Sequence, residues 1–116
     1  MWSMKTISKR PRYALSQWQC FEIDSNHSWG RNHRFAGALG RSRLFHVTDG
    51  IVEFDSDHRT AATSIVNFYM LEDAPGLTPE VLKQRQRTCE KYRFTGIADV
   101  TAELVHLMAK ASGRQK

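Results

Sequence analysis

The chain has 116 residues, of which 41% are hydrophobic and 25% are charged, and its net charge is +5. These values are typical of one globular domain with a single core and exclude a largely disordered chain. No run approaches the roughly 20 apolar residues of a membrane span, and no apolar segment of a secretory signal follows the basic N-terminus. We therefore expect a cytoplasmic protein without membrane contact, in which Cys20 and Cys89 are reduced, buried thiols.

Charge is divided unevenly along the chain. Residues 1–47 contain eight Lys or Arg against two acids, residues 48–80 contain one against seven, and residues 81–116 contain eight against three. Such a distribution can attract a partner of opposite sign. The alternative is that the three segments neutralise one another in the fold or in a dimer.

The N-terminal third of the chain has few regular patterns. Residues 1–12 are basic and aperiodic, which predicts a flexible arm ahead of a single domain over residues 13–116. Residues 13–24 favour a strand over a short helix. Residues 25–43 are rich in Gly, Asn and Ser, which predicts a loop, and a loop of that length is expected to be mobile or functional.

The clearest local pattern is centred on Asp49-Gly50. Apolar residues alternate on both sides of this pair, which predicts a β-hairpin with residues 44–48 antiparallel to residues 51–55. A type I′ turn of two residues would require positive φ at the glycine. His46 would then lie opposite Glu53 as a cross-strand pair.

The remaining segments complete a fold prediction. A turn at residues 55–58 precedes further strands at residues 59–63 and 65–71. Thr78 as N-cap and Pro79 at the first helical position predict a helix that runs to about residue 94 and stops at Gly96. A second helix is capped by Asp99 and ends at Gly113. The predicted fold class is α+β, a small antiparallel β-meander of three to five strands with two C-terminal helices packed on it.

Five stretches of this sequence resemble a pattern in short uncharacterised bacterial proteins of the mobile-element and prophage type. The resemblance covers about half of the chain, and it implies no activity. The stretches are Gly50-Ile51-Val52-Glu53-Phe54-Asp55, Arg59-Thr60-Ala61-Ala62-Thr63, Tyr69-Met70-Leu71, Pro75-Gly76 and Asp99-Val100-Thr101-Ala102-Glu103-Leu104.

The first predicted helix has Lys83, Arg87 and Lys91 at successive i, i+4 positions. Cations aligned on one helix face can neutralise phosphates. The alternative is an ordinary solvated face, opposite an inner face of Val81, Leu82, Cys89 and Tyr92.

A second group of cations lies in the predicted loop, where Arg31 and Arg34 stand between Trp29 and Phe35 and are followed by Arg41 and Arg43. Rings can stack on unpaired bases while arginines follow the backbone, which is typical of single-strand contacts. The alternative is that the two aromatic residues anchor the loop on the core.

Signatures of catalysis and of metal binding are absent from the sequence. There is no Gly-x-Ser-x-Gly elbow, Walker loop or His-Glu-x-x-His motif, and the cysteines and histidines lack the paired spacing of zinc sites. We therefore predict a non-enzymatic binding protein, without metal or cofactor, whose basic surface contacts nucleic acid or an acidic protein surface. Its contact residues are predicted to be Arg31, Arg34, Arg41, Lys83, Arg87 and Lys91.

Two alternatives to nucleic-acid binding stay open. The first is a protein-interaction or inhibitory module of a mobile element, able to form a homodimer and making no nucleic-acid contact. The second is an enzyme built around a His/Asp pair. An exposed apolar patch without a basic strip would favour the first, and a deep pocket with convergent His and carboxylate groups would favour the second.

Overall fold

The computed structural model describes residues 3–4, 7, 11–24, 31–40, 44–63, 67–72, 75–76 and 78–113. Within these residues, eight strands form one sheet, accompanied by two helices. The elements in chain order are β1 (Ser3–Met4), β2 (Tyr13–Asp24), β3 (Arg31–Leu39), β4 (Phe45–Val47), β5 (Ile51–Asp55), β6 (Thr60–Thr63), β7 (Phe68–Leu71), α1 (Pro79–Lys91), β8 (Ala98–Asp99) and α2 (Thr101–Gly113).

The sheet is mixed, with the order β1-β5-β6-β7-β2-β3-β4 and with β8 paired to β2 off this path. The β1–β5 and β2–β7 pairs are parallel, and the other pairs are antiparallel. The predicted α+β class is confirmed, whereas a purely antiparallel meander of three to five strands is wrong. The sheet is larger because β2 is 12 residues long and pairs with β3 on one side and with both β7 and β8 at different points along its length.

The predicted hairpin around Gly50 is also wrong. β4 pairs with β3, while β5 pairs with β1 and β6. Thr48 holds this segment beside β3, because its N–H donates to the Phe35 carbonyl at 2.8 Å and its hydroxyl accepts from the Phe35 N–H at 3.0 Å. These two bonds fasten the chain to β3 where the turn was expected, and Gly50 does not adopt a positive φ.

The middle of the predicted loop over residues 25–43 is strand β3. Gly37 allows β3 to lie close to β2, because a Cβ at this position would lie 2.9 Å from the Ser16 carbonyl oxygen. The neighbouring strand β2 has an irregular register between Ser16 and Gln19, and Gln17 has a φ of 51°. Residues 25–30 and 41–43 lie outside the described residues.

Two described parts of the predicted N-terminal arm are attached to the sheet. β1 pairs with β5, and the Ile7 N–H donates to the Asp55 carboxylate at 2.8 Å. The same carboxylate accepts from the backbone N–H groups of Asp57 and His58, both at 3.1 Å, and so organises the predicted turn after β5. Asp55 therefore joins this turn to residue 7.

The start of α1 agrees with the sequence prediction. Thr78 is the N-cap, its hydroxyl accepts from the Val81 N–H at 3.3 Å, and Pro79 occupies the first helical position. The start of α2 uses the predicted carboxylate, since Asp99 accepts from the Thr101 N–H at 2.9 Å.

The end of α1 differs from the prediction. The helix stops at Lys91, and Arg93, with a φ of 55°, is the left-handed residue that follows it. The Phe94 N–H donates to the Cys89 carbonyl at 2.9 Å and the Arg93 N–H donates to the Glu90 carbonyl at 3.3 Å, which together form a Schellman motif.

Buried side chains form two clusters on the two faces of the sheet. Adjacent strand residues point to opposite faces, and accordingly Cys20 lies in one cluster and Phe21 in the other. Leu104 of α2 packs in the first cluster, while α1 contributes Val81 and Cys89 to the second. The two helices thus cover opposite faces, and both cysteines are free and buried, as predicted.

Candidate functional site

The three predicted cations of α1 are exposed on one side of the helix. At about 100° per residue, Lys83, Arg87 and Lys91 lie within roughly 80° of arc and extend over about 12 Å of helix axis. Val81 and Cys89 are buried on the side that packs against the sheet. Throughout the described ranges, no ion pair involves any of the three cations. We call these three residues the cationic face.

Of the other charged side chains of α1, exposed Glu80 falls within the same arc nearly one turn before Lys83, Glu90 borders the arc, and Arg85 turns away from it. Glu80 lies in the first turn, and Glu90 accepts a hydrogen bond from Gln86 Nε2 at 3.1 Å. Arg85 points inward, where its Nη1 is 3.2 Å from Gln19 Oε1 and 3.5 Å from Asp99 Oδ2. Arg85 consequently fixes α1 to the sheet and is no part of the cationic face.

A notch separates α1 from β4, which is the last strand in the sheet order. Its volume is about 270 Å³. Arg87 and Lys91 of the cationic face line it, so the notch opens beside two of the three cations. The other lining residues are His46 and Val47 of β4, Gln84 and Thr88 of α1, and Tyr92 at the helix end.

Two stacked aromatic rings at the C-terminal end of α1 each contact a cation. Tyr92 is 57% exposed, and its ring stacks on that of Phe94 with centroids 5.7 Å apart and an interplanar angle of 23°. Lys91 Nζ lies 5.3 Å from the Tyr92 centroid, and Arg34 Cζ lies 4.7 Å from the Phe94 centroid. We call these four residues the aromatic–cation stack.

Arg34 contacts Phe94 in this stack and is itself held in place by a hydrogen bond. Its Nη1 donates to the Thr48 carbonyl at 3.1 Å, and its buried Nε has no hydrogen-bond partner among the described residues. Burial lowers the pKa of Arg34, although Asp49 opposes this effect. Because an arginine stays protonated at neutral pH in any case, Arg34 places a fixed positive charge behind Phe94.

The six predicted contact residues do not form one surface among the described residues. Arg31 is the first residue of β3, paired in register with Asp24, and its side chain is outside the description. Arg41 lies outside the described residues altogether. The remaining four residues belong to the cationic face and the aromatic–cation stack.

Neither the notch nor the exposed ring of Tyr92 was predicted from the sequence. Tyr92 was expected on the inner face of a helix that continued to residue 94, whereas the Schellman motif ends α1 earlier and leaves this ring exposed. A weak signal was present, since Tyr92 and Phe94 flank an arginine that interrupts the apolar helical pattern.

The predicted cross-strand pair of His46 and Glu53 is wrong, because β4 and β5 are not neighbours. Instead, His46 Nε2 is 3.1 Å from the Tyr69 hydroxyl, and the two rings stack with centroids 5.9 Å apart. Burial lowers the pKa of His46 and raises the pKa of Tyr69 to about 12. Both groups are therefore neutral at physiological pH, which favours a structural hydrogen bond.

Among the described residues, His58 and Asp55 form a His/Asp pair with the geometry of an acid–base couple, because His58 Nδ1 and Asp55 Oδ2 are 2.7 Å apart. The Asp55 carboxylate also accepts the three backbone hydrogen bonds described above, so its geometry is that of a turn anchor. Across the described residues, no three His, Cys, Asp or Glu side chains converge to hold a metal ion. Nor is either described helix long and apolar enough to cross a membrane.

No protein family, no curated sequence and no solved structure matches this chain. The resemblance to mobile-element proteins therefore stays a prediction.

Proposed function

We propose that this protein binds the phosphate backbone of nucleic acid and catalyses no reaction of its own. The observation that supports this function is the cationic face, on which Lys83, Arg87 and Lys91 are exposed on the side of α1 opposite its buried residues. Surface cations without ion-pair partners are available to neutralise an external anion at little desolvation cost.

The spacing of these cations suits a repeating anion. The cationic face extends over about 12 Å of helix axis, which corresponds to roughly three or four base pairs measured along the axis of a duplex. Helix α1 is anchored at its first turn by the Thr78 cap and along its inner side by Arg85, so the three charges are presented on a fixed support. A rigid support reduces the entropy lost on binding.

This proposal predicts steep salt dependence. Each phosphate contact releases bound counterions, so the logarithm of affinity falls with the logarithm of salt concentration by about 0.9 per contact on duplex DNA and about 0.7 on single strands. Replacing all three cations with Ala should weaken binding to every sequence similarly and flatten the slope by about two to three units. Alanine favours helix, so circular dichroism should show an intact fold.

A matched control separates the cationic face from the overall charge of the protein. Lys110 is exposed on α2, which covers the opposite face of the sheet. Arg87→Ala and Lys110→Ala each remove one positive charge, yet only Arg87→Ala should reduce the slope, by about one unit. Binding can be titrated by fluorescence anisotropy with labelled oligonucleotides at several salt concentrations.

Two results would overturn the proposal. Absence of salt-dependent binding by the wild type in dilute buffer would reject nucleic acid as the ligand and would favour the protein-interaction module instead. Equal losses in the Arg87 and Lys110 variants would show that net charge, rather than the cationic face, produces the binding.

A further inference from the structure

The cationic face and the notch are next to each other. Arg87 and Lys91 belong to both, so a phosphate backbone bound along α1 passes the mouth of the notch. An unpaired base attached to that backbone would be within reach of the notch, whereas a base paired in a duplex would not. The position of the notch therefore distinguishes single-stranded from double-stranded ligands.

The notch has the size and chemistry of a site for one heterocycle. Its volume of about 270 Å³ falls just below the roughly 300–1,000 Å³ of sites for drug-sized ligands. Val47 gives it an apolar wall, while the Gln84 amide and the Thr88 hydroxyl can both donate and accept hydrogen bonds. These are the contacts that the edge of an unpaired base requires.

Tyr92 adds a surface for stacking. Its backbone N–H donates to the Thr88 carbonyl at 3.0 Å, and its ring is supported by Phe94, which Arg34 supports in turn. The ring also has a cation–π contact with the exposed ammonium of Lys91. An incoming base can replace that single ammonium, which then becomes available to a phosphate.

From this arrangement we infer that the preferred ligand is single-stranded nucleic acid, with one unpaired base entering the notch and stacking on Tyr92. The inference rests on the proposed function and specifies its ligand. A duplex can bind the cationic face, but its paired bases are stacked inside the helix and cannot enter the notch.

The test compares a labelled single-stranded oligonucleotide with a duplex of the same sequence and length at one salt concentration. The wild type should bind the single strand more tightly. Tyr92→Leu retains apolar volume but removes the π face, and it should weaken single-strand binding by roughly 5- to 150-fold, as expected for loss of one stacked base. Duplex affinity should be unchanged. Tyr13→Leu is the control, since Tyr13 is 38% exposed and is not among the residues that line the notch.

Each outcome distinguishes this inference from the proposed function. Tighter or equal binding of the duplex by the wild type, or equal losses on both ligands in Tyr92→Leu, would overturn the inference and leave phosphate binding by the cationic face intact. If Tyr92→Leu does not fold, Gln84→Leu tests the notch in its place and should also weaken only single-strand binding. An unchanged single-strand affinity in that variant would equally overturn the inference.

Discussion

Replacing Arg93 with glycine should stabilise the protein, because Arg93 occupies the left-handed position that ends α1. Its φ is 55°, and the two hydrogen bonds of the Schellman motif fix this conformation. A residue with a Cβ pays about 1–2 kcal/mol for a left-handed backbone. Glycine avoids that cost, but it lowers the free energy of unfolding by about 0.4–1 kcal/mol because it gives the unfolded chain more conformational freedom. The expected net gain is about 0.5–1 kcal/mol in the free energy of unfolding.

This gain is large enough to measure. For 116 residues, an unfolding entropy of about 2.1 cal/mol/K per residue makes 0.5–1 kcal/mol equivalent to a rise in Tm of about 2–4 °C. Thermal and urea unfolding followed by circular dichroism would report it. Arg93→Gln is the matched control, because it removes the same charge but keeps the Cβ, and it should give no gain. Equal stabilisation by both substitutions, or destabilisation by Arg93→Gly, would refute the backbone argument.

Two further predictions concern stability. Thr78→Ala removes the hydroxyl that accepts the Val81 N–H and should cost about 0.5–2 kcal/mol in urea unfolding, whereas Thr78→Ser should retain most of the stability; equal loss in both variants would contradict the capping role. Burial alone would raise the pKa of Asp55, but hydrogen bonds from Ile7 and His58 lower it overall. Its carboxylate therefore stabilises the fold fully above the unfolded pKa of about 3.9, and this contribution is lost as pH falls through the lower folded pKa. The stability advantage of wild type over Asp55→Asn should shrink in acid, and a pH-independent difference would contradict the linkage.

The parts of the fold that the sequence predicted correctly depend on local chemistry. Thr78, Pro79 and Val81 lie within one helical turn, so the start of α1 follows from residues that are adjacent in the chain. The turn after β5 is similar, because Asp55 bonds to the backbone two and three residues further on. Spacing also predicted that Lys83, Arg87 and Lys91 share one side of α1, since i, i+4 positions share a side of any helix.

The wrong predictions concern partners that are distant in sequence. Alternation around Asp49-Gly50 identifies which side chains share a face but not which strand lies alongside, and Thr48 bonds to Phe35 instead of allowing the turn. Gly37 suggested a loop, although in the fold it allows β3 to approach Ser16 closely. The notch could not be predicted either, because it requires the pairing of β4 with β3 and the early end of α1.

Because the two cysteines lie on opposite faces of the sheet, the protein contains a natural pair of reporters for partial unfolding. Cys20 lies beneath the start of α2, and its carbonyl accepts the Val100 N–H at 2.9 Å. Cys89 belongs to α1 itself and is buried against the sheet. Burial raises the pKa of both thiols, so neither reacts readily with an alkylating reagent while its helix stays docked. The labelling rate of Cys89 would therefore follow detachment of α1, and that of Cys20 would follow opening of the α2 side of the molecule.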